Sequence, residues 1–95
     1  MTLTGRHFRI TGRVQGVGFR HFTWRAANEI GLVGWVRNRR DGSVEAEAWG
    51  LSDQLEQFRR RVNRGPRFSR VDVVEEQLAD GPTPTETEFA VRPTR

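Results

Sequence analysis

The spacing of apolar residues changes between two periods along this chain, and that change restricts the fold more than any other feature of the sequence. Residues 7–14 alternate apolar and polar side chains, as expected for a half-buried strand. From His21 to about Ile30 the apolar residues recur every three or four positions, which is typical of a helix. Gly31 follows as a helix stop. The chain therefore begins with a strand that is followed by a helix.

The same spacing, together with turn residues, predicts the rest of the secondary structure. Asp41-Gly42 is a strong signal for a hairpin between two strands. Gly65-Pro66 is a signal that ends a helix. The predicted elements are strands at residues 32–39 and 43–49, a helix with Ser52 as its N-cap, a strand from Phe68 to about Gln77 and a short strand at residues 88–92.

The resulting order is β-α-β-β-α-β with a short extra C-terminal strand. Because β-α-β crossovers are right-handed and the middle strands form a hairpin, this order predicts an α+β, ferredoxin-like sandwich, with two helices on one face of an antiparallel sheet. The length fits a single domain over residues 1–95. This fold hosts many functions, so function must be argued from a site.

Composition excludes several kinds of chemistry. The chain has no cysteine, which excludes a disulfide framework, a thiolate nucleophile and a thiolate metal site. All 16 basic residues are arginine, which excludes a lysine Schiff base, and the net charge of +4 favours anionic partners. The sequence shows neither an apolar leader nor a segment that could span a bilayer. We therefore expect a cytoplasmic monomer with no membrane partner.

The segment that joins the first strand to the first helix is the main candidate site. Gly16 and Gly18 permit backbone conformations that a Cβ would hinder, and they allow a ligand to approach the main chain closely. Backbone N–H groups ahead of a helix N-terminus form an anion site, and Arg20 adds a charged fork that can hold two phosphate oxygens. The alternative is a tight turn without a ligand, because a lone Gly-x-Gly is weak evidence for nucleotide binding.

Two longer motifs make the pattern specific. The stretch Gly12-Arg13-Val14-Gln15-Gly16-Val17-Gly18-Phe19-Arg20 resembles the first signature of the acylphosphatase family. The stretch Gly34-Trp35-Val36-Arg37-Asn38, followed by Asp41-Gly42-x-Val44-Glu45, resembles the second. Gly65-Pro66 also fits the family pattern, and the resemblance covers approximately residues 5–78. It implies metal-independent hydrolysis of acyl phosphates without a cofactor, with inorganic phosphate as product and competitive inhibitor.

The resemblance also implies a role for each residue of the site. Arg20 and Asn38 would be catalytic: Arg20 binds the phosphoryl group and Asn38 positions the attacking water. The phosphate oxygens would be held by the backbone of Gln15, Gly16, Val17, Gly18, Phe19 and Arg20. Asparagine is not a strong base, so a phosphate oxygen of the substrate is expected to take the proton. In some members a threonine follows the asparagine, whereas this chain has Arg39.

Two alternatives keep the fold and change the function. The first is a non-catalytic domain that binds phosphate or single-stranded RNA, since RNA-recognition domains share this element order and the chain is basic. Glu45 and Glu47 occupy the third strand, where such a domain carries stacking aromatics, which disfavours nucleic acid as a partner. The second is an acylphosphatase-like module of a larger carbamoyl-transfer protein; the start methionine favours the free-standing form.

The other polar and aromatic residues are predicted to be structural. His7 is expected at the surface, and Trp24 and Trp35 are expected to be packing residues. Among Arg13, Arg37, Arg39 and Arg40, most are expected to be solvated charges of the sheet and turns, the alternative being that they raise the local positive potential and speed anion capture. The sequence leaves open the physiological acyl phosphate, whether His21 or Arg39 tunes the site, and the role of residues 79–95.

Overall fold

A computed structural model describes residues 3–85 and 87–95 of the chain. The strands are β1 (Thr4–Arg13), β2 (Val33–Asn38), β3 (Val44–Gly50), β4 (Arg70–Leu78) and β5 (Phe89–Val91), and the helices are α1 (Phe19–Ile30) and α2 (Ser52–Arg64). This is the predicted order with the predicted extra strand. Neither helix has the length and apolar character needed to cross a membrane, as far as the described residues extend.

The five strands form one sheet in the order β4-β1-β3-β2-β5. The hairpin places β3 between β1 and β2, and these neighbours pair antiparallel, as do β1 and β4. β5 differs, because it pairs parallel with β2, with Val91 opposite Val36. The ferredoxin-like fold is confirmed, and the extra strand makes the sheet mixed.

Both helices pack against one face of the sheet. The Phe58 ring of α2 lies 5.2 Å from the Phe8 ring of β1 and 6.1 Å from the Phe89 ring of β5, measured between ring centroids. The helix-side residues of β3, which are Val44, Ala46 and Ala48, are completely buried. The opposite face carries no helix and is called the outer face below. The sheet therefore has one apolar face and one polar face, as the alternating strand pattern predicts.

The structure corrects the sequence predictions at several boundaries. Helix α1 begins at Phe19, before the predicted start, and Ser52 is the first residue of α2, whose N-cap is Leu51. Phe68 lies outside β4, has a positive φ of 71° and is 78% exposed. Trp24 is 37% exposed and is not a core residue, whereas Trp35 is buried as predicted.

Candidate active site

A cleft of about 410 Å³ lies where the segment after β1, the N-terminus of α1 and the ends of β2 and β5 meet. Its walls are formed by Val14, Gly16, Gly18, Phe19, Arg20, His21, Asn38 and Val91. The two sequence motifs, separated along the chain, therefore contribute to the same cavity. Its volume is in the range of sites that bind small molecules.

The backbone at Gly16 and Gly18 explains why glycine is required in this segment. Both residues have left-handed φ angles, 73° and 76°, which residues with a Cβ rarely adopt. A Cβ placed on either residue would meet no atom within 4 Å, so the positions face open space. Gly18 is the N-cap of α1 and offers no side-chain cap. The first N–H groups of the helix are therefore available to an anion.

Among the half-buried arginines of the described residues, Arg20 is the one without a carboxylate partner. It lies in the first turn of α1, lines the cleft and is half-buried. Within residues 3–85 and 87–95 it makes neither an ion pair nor a hydrogen bond through its side chain. The other half-buried arginines of those residues pair with carboxylates: Arg6 and Arg59 with Glu76, Arg9 with Asp41 and Glu75, Arg37 and Arg39 with Glu45, and Arg61 with Glu29. A half-buried cation without a partner favours an anionic ligand.

Asn38 reaches the cleft because strand residues alternate between the two faces of the sheet. It lies opposite Val44 in the β2–β3 ladder, on the face that carries the helices. Its backbone oxygen accepts a hydrogen bond from Arg95 N–H at 3.1 Å, and Arg40 N–H donates to the Arg95 backbone oxygen at 3.3 Å. The C-terminal residues thus hold the end of β2 in place, which gives the terminal segment a structural role that the sequence left open.

Gln15 connects the glycine segment to the hairpin through its side chain. Its amide nitrogen donates to the backbone oxygens of Arg39 at 2.7 Å and of Ser43 at 2.9 Å. These bonds join the segment that leads to Arg20 to the turn that follows Asn38. The sequence indicates a role only for the backbone of Gln15, because the partners of its side chain lie 24 and 28 residues away. Local patterns carry no signal for such distant contacts.

The remaining predicted loop residues have different surroundings. Gly16, Gly18, Phe19 and Arg20 line the cleft, whereas Val17 packs against the hydrophobic core. Phe19 is itself buried, so its side chain forms the base of the cleft. Val91 and His21 also line the cleft. Val91 was not among the predicted site residues, because its strand meets β2 only in the folded structure.

A group of charged and polar residues on the outer face, the Glu45 cluster, contains His7, Arg37, Arg39 and Glu45. Arg37 Nε donates to Glu45 Oε1 at 2.6 Å, Arg39 Nη1 donates to the same oxygen at 3.2 Å, and His7 Nε2 donates to Glu45 Oε2 at 2.6 Å. Burial opposes ionisation of Glu45, which is 8% exposed, but the three hydrogen bonds outweigh burial and lower its pKa.

The Glu45 cluster corrects the expectation for two arginines. Arg37 and Arg39 are ion-paired and not simply solvated, whereas His7 lies on the outer face of β1 as expected and is a further partner of Glu45. The Arg39 guanidinium is bound on the outer face, which is the face opposite Asn38. Side-chain alternation therefore separates Arg37 and Arg39 from the cleft although they flank Asn38 in sequence.

Acidic and histidine side chains of the described residues form no group of three or more that could hold a metal ion. Taken together, the fold and the cleft define a small α+β protein whose cleft combines a glycine segment at a helix N-terminus with Arg20 and Asn38. A family model for acylphosphatase matches residues 6–91. The chain therefore belongs to the acylphosphatase family, which confirms the resemblance found in the two motifs.

Individual relatives agree with this assignment. The chain is 54% identical to an acylphosphatase of Salinibacter ruber over 76% of each chain. It is 48% identical to one of Pasteurella multocida over 92% of this chain and 96% of the relative. The crystal structure of acylphosphatase from Bacillus subtilis, 35% identical, superposes with a TM-score of 0.88 and covers 96% of this chain and 99% of that one.

The same fold also occurs within a much larger protein. The crystal structure of full-length HypF in the phosphate- and nucleotide-bound form matches 98% of this chain with a TM-score of 0.87 and 26% identity. The match covers only 12% of that longer chain. Domains of this fold are thus found both alone and as parts of longer chains.

Proposed function

We propose that this protein hydrolyses the carboxyl-phosphate bond of acyl phosphates to a carboxylate and inorganic phosphate. The observation that carries the proposal is the half-buried Arg20, which has no carboxylate partner among the described residues and shares its cleft with Asn38 and the open glycine segment. Membership of the acylphosphatase family supports the same reaction.

The phosphoryl group binds at the N-terminus of α1. The backbone N–H groups of Gln15, Gly16, Val17, Gly18, Phe19 and Arg20 surround its oxygens, and the Arg20 guanidinium neutralises their charge. Positive φ angles at Gly16 and Gly18 support this arrangement, because they let consecutive N–H groups converge on one anion. These donors are in place before the reaction, so their electrostatic stabilisation needs no reorganisation in the transition state.

Asn38 positions the attacking water. Its amide can accept a hydrogen bond from water and donate one, but it cannot remove a proton as a strong base. The water oxygen forms a bond to phosphorus while the bond from phosphorus to the acyl oxygen breaks, and the leaving carboxylate keeps the electron pair. A phosphate oxygen of the substrate takes one water proton.

Positioning and charge neutralisation suffice for this reaction because the substrate is reactive. An acyl phosphate is a mixed anhydride with a good carboxylate leaving group, so general acid catalysis is of little use. Loose transition states of phosphoryl transfer are stabilised mainly by alignment and by charge. We therefore propose hydrolysis without a metal ion or cofactor, and competitive inhibition by the product phosphate.

The outer face argues against the alternative of RNA binding. Trp35, an aromatic residue of this face, lies under the guanidinium groups of Arg37 at 4.5 Å and Arg92 at 5.0 Å from its ring centroid. Glu45 on the adjacent strand adds negative charge. A base could not stack on this ring without displacing an arginine. The single domain, the monomeric state and the cytoplasmic location stay predictions.

A direct assay tests the proposal. Purified protein is given benzoyl phosphate in the presence of a metal chelator, and inorganic phosphate is added as a competitor. We expect turnover that the chelator leaves unchanged and that phosphate inhibits competitively. Absence of turnover at high protein concentration would contradict the proposed reaction, and loss of turnover with chelator would contradict metal independence.

A further inference from the structure

The cleft is larger than its phosphate-binding end. The groups suited to phosphate are the backbone around Gly16 and Gly18 and the Arg20 side chain, which lie together where α1 begins. The cavity of about 410 Å³ also extends to His21 of α1 and to Val91 of β5. If the proposed function is correct, the acyl group of the substrate has to lie in this remaining part.

Val91 gives that part an exposed apolar wall. It is 48% exposed although it lines the cleft, whereas the other apolar lining residues, Val14 and Phe19, are buried. Its position is fixed, since β5 pairs with β2 at this residue and Arg92 N–H donates to the Val36 backbone oxygen at 2.8 Å. An exposed valine on a rigid strand is suited to contact an apolar group.

His21 gives the same part of the cleft a flat aromatic surface. Its ring stacks on the Trp24 ring, with centroids 5.6 Å apart and ring planes at 29°. Both residues lie on the exposed side of α1. Stacking restricts the orientation of the imidazole, so the ring is a preformed wall of the cleft.

The charge of the cleft walls further restricts which acyl groups can bind. Of the described residues that form its walls, Arg20 alone carries a guanidinium group. Binding the phosphoryl group already uses that charge. An acyl group with its own phosphate or carboxylate would need a second cation, whereas an uncharged group would not.

From these contacts we propose that His21 and Val91 form an acyl-binding subsite, and that it selects acyl phosphates with an uncharged, apolar and preferably aromatic acyl group. The two side chains contact the acyl group and contribute no chemistry to the bond that breaks. The proposal rests on the hydrolysis proposed above and names the class of substrate for that site.

The test compares benzoyl phosphate with acetyl phosphate. The readout is the ratio of the two kcat/KM values in the intact protein and in the variants Val91→Ala, His21→Ala and His21→Phe. Val91→Ala and His21→Ala should each lower the benzoyl-to-acetyl ratio about five-fold, because buried apolar contact is lost only with the larger group. His21→Phe keeps a flat ring and should retain the ratio.

Two controls separate this subsite from other effects. Val73→Ala removes a valine that is similarly exposed, at 51%, on β4 and is not part of the cleft wall, and it should leave the ratio unchanged. The inhibition constant of inorganic phosphate should not change in any variant, because phosphate has no acyl group.

Each outcome decides between the proposals. An unchanged ratio in Val91→Ala and His21→Ala, or an equal fall in Val73→Ala, would overturn the subsite while turnover itself continues. A fall in His21→Phe as large as in His21→Ala would overturn the role of the flat ring. Failure of the intact protein to hydrolyse either substrate would overturn the proposed function, and the subsite with it.

Discussion

Arginines on the two faces of the sheet have opposite surroundings. On the outer face, Arg37 and Arg39 both donate to the carboxylate of Glu45, so each has an anionic partner. On the helix side, Arg20 lies half-buried in the cleft without a carboxylate partner among residues 3–85 and 87–95. Composition alone cannot separate these arginines. Charge compensation in the folded structure distinguishes the arginines that stabilise the sheet from the one available to a ligand.

The sharpest test of this comparison is Arg20→Ala. We expect kcat/KM for benzoyl phosphate to fall about 1,000-fold, since a preorganised charge is lost from both the bound substrate and the transition state. The free energy of unfolding should change by less than about 0.5 kcal/mol, because Arg20 has no side-chain partner to lose in the part of the chain that the structure describes. Steady-state kinetics and chemical denaturation measure the two quantities.

Arg13→Ala is the matched control, because Arg13 is an exposed arginine at the end of β1. It should lower kcat/KM far less than Arg20→Ala. If both variants lost activity equally, general positive potential rather than one placed guanidinium would explain phosphate binding.

Asn38→Ala should have the next largest effect, and on a different kinetic parameter. We expect kcat to fall about 100-fold, because the water is no longer aligned with the bond that breaks. Competition by inorganic phosphate should persist, since Arg20 and the backbone donors remain. Full turnover in this variant would show that another group positions the water.

Glu45→Gln tests the outer face, where arginines have a carboxylate partner. Removing the charge leaves Arg37 and Arg39 without their shared carboxylate, so the protein should lose about 2 kcal/mol of stability. Glu75→Gln is the control, because Glu75 is exposed and its pair with Arg9 should contribute less to stability than the buried carboxylate of Glu45. Chemical denaturation measures both changes. Equal effects would contradict the view that Glu45 stabilises the outer face by a buried cluster.

Gln15→Ala removes the connection between the glycine segment and the hairpin. Its two donated hydrogen bonds are lost, and we expect the distance between Arg20 and Asn38 to become less well defined. The expected result is a fall in kcat of about tenfold with a small change in phosphate inhibition. Gln57→Ala, an exposed position on α2, is the control. A purely structural role would instead change stability and leave kcat intact.

Acid should weaken the Glu45 cluster gradually. The hydrogen bonds of Glu45 hold its pKa below the ordinary value of 4.5 despite burial, and hydrogen bonding to Arg59 lowers the pKa of Glu76. A carboxylate with a lowered pKa in the folded state stabilises the protein above its unfolded pKa, and this contribution is lost as the pH falls through the folded pKa. Stability should therefore decline as the pH falls below about 5, first through the unfolded-state pKa and then through the lower folded-state pKa.

Comparison with Glu45→Gln isolates the contribution of one residue to this decline. The variant lacks the titrating carboxylate, so its unfolding free energy should depend less on pH over the same range. A parallel pH dependence in both proteins would assign the acid sensitivity to other carboxylates.

The sequence by itself determined the order of the elements, the fold and the two residues at the centre of the candidate site. These features depend on local physics: the period of the apolar pattern, turn signals such as Asp41-Gly42, and the conformational freedom of Gly16 and Gly18. The two family motifs added the prediction that Arg20 and Asn38 belong to one site, and the structure places both residues in one cleft.

Only the tertiary structure decided which residues far apart in the sequence meet, in the cleft and on the outer face. Gln15 donates hydrogen bonds to backbone oxygens of the hairpin, and Val91 reaches the cleft on a strand that is parallel to β2. Glu45 forms ion pairs with two arginines that were expected to be solvated. Each of these contacts depends on which strands become neighbours and on which face a side chain lies. Local sequence patterns do not contain that information, because partners far apart in the chain meet only when the sheet has formed.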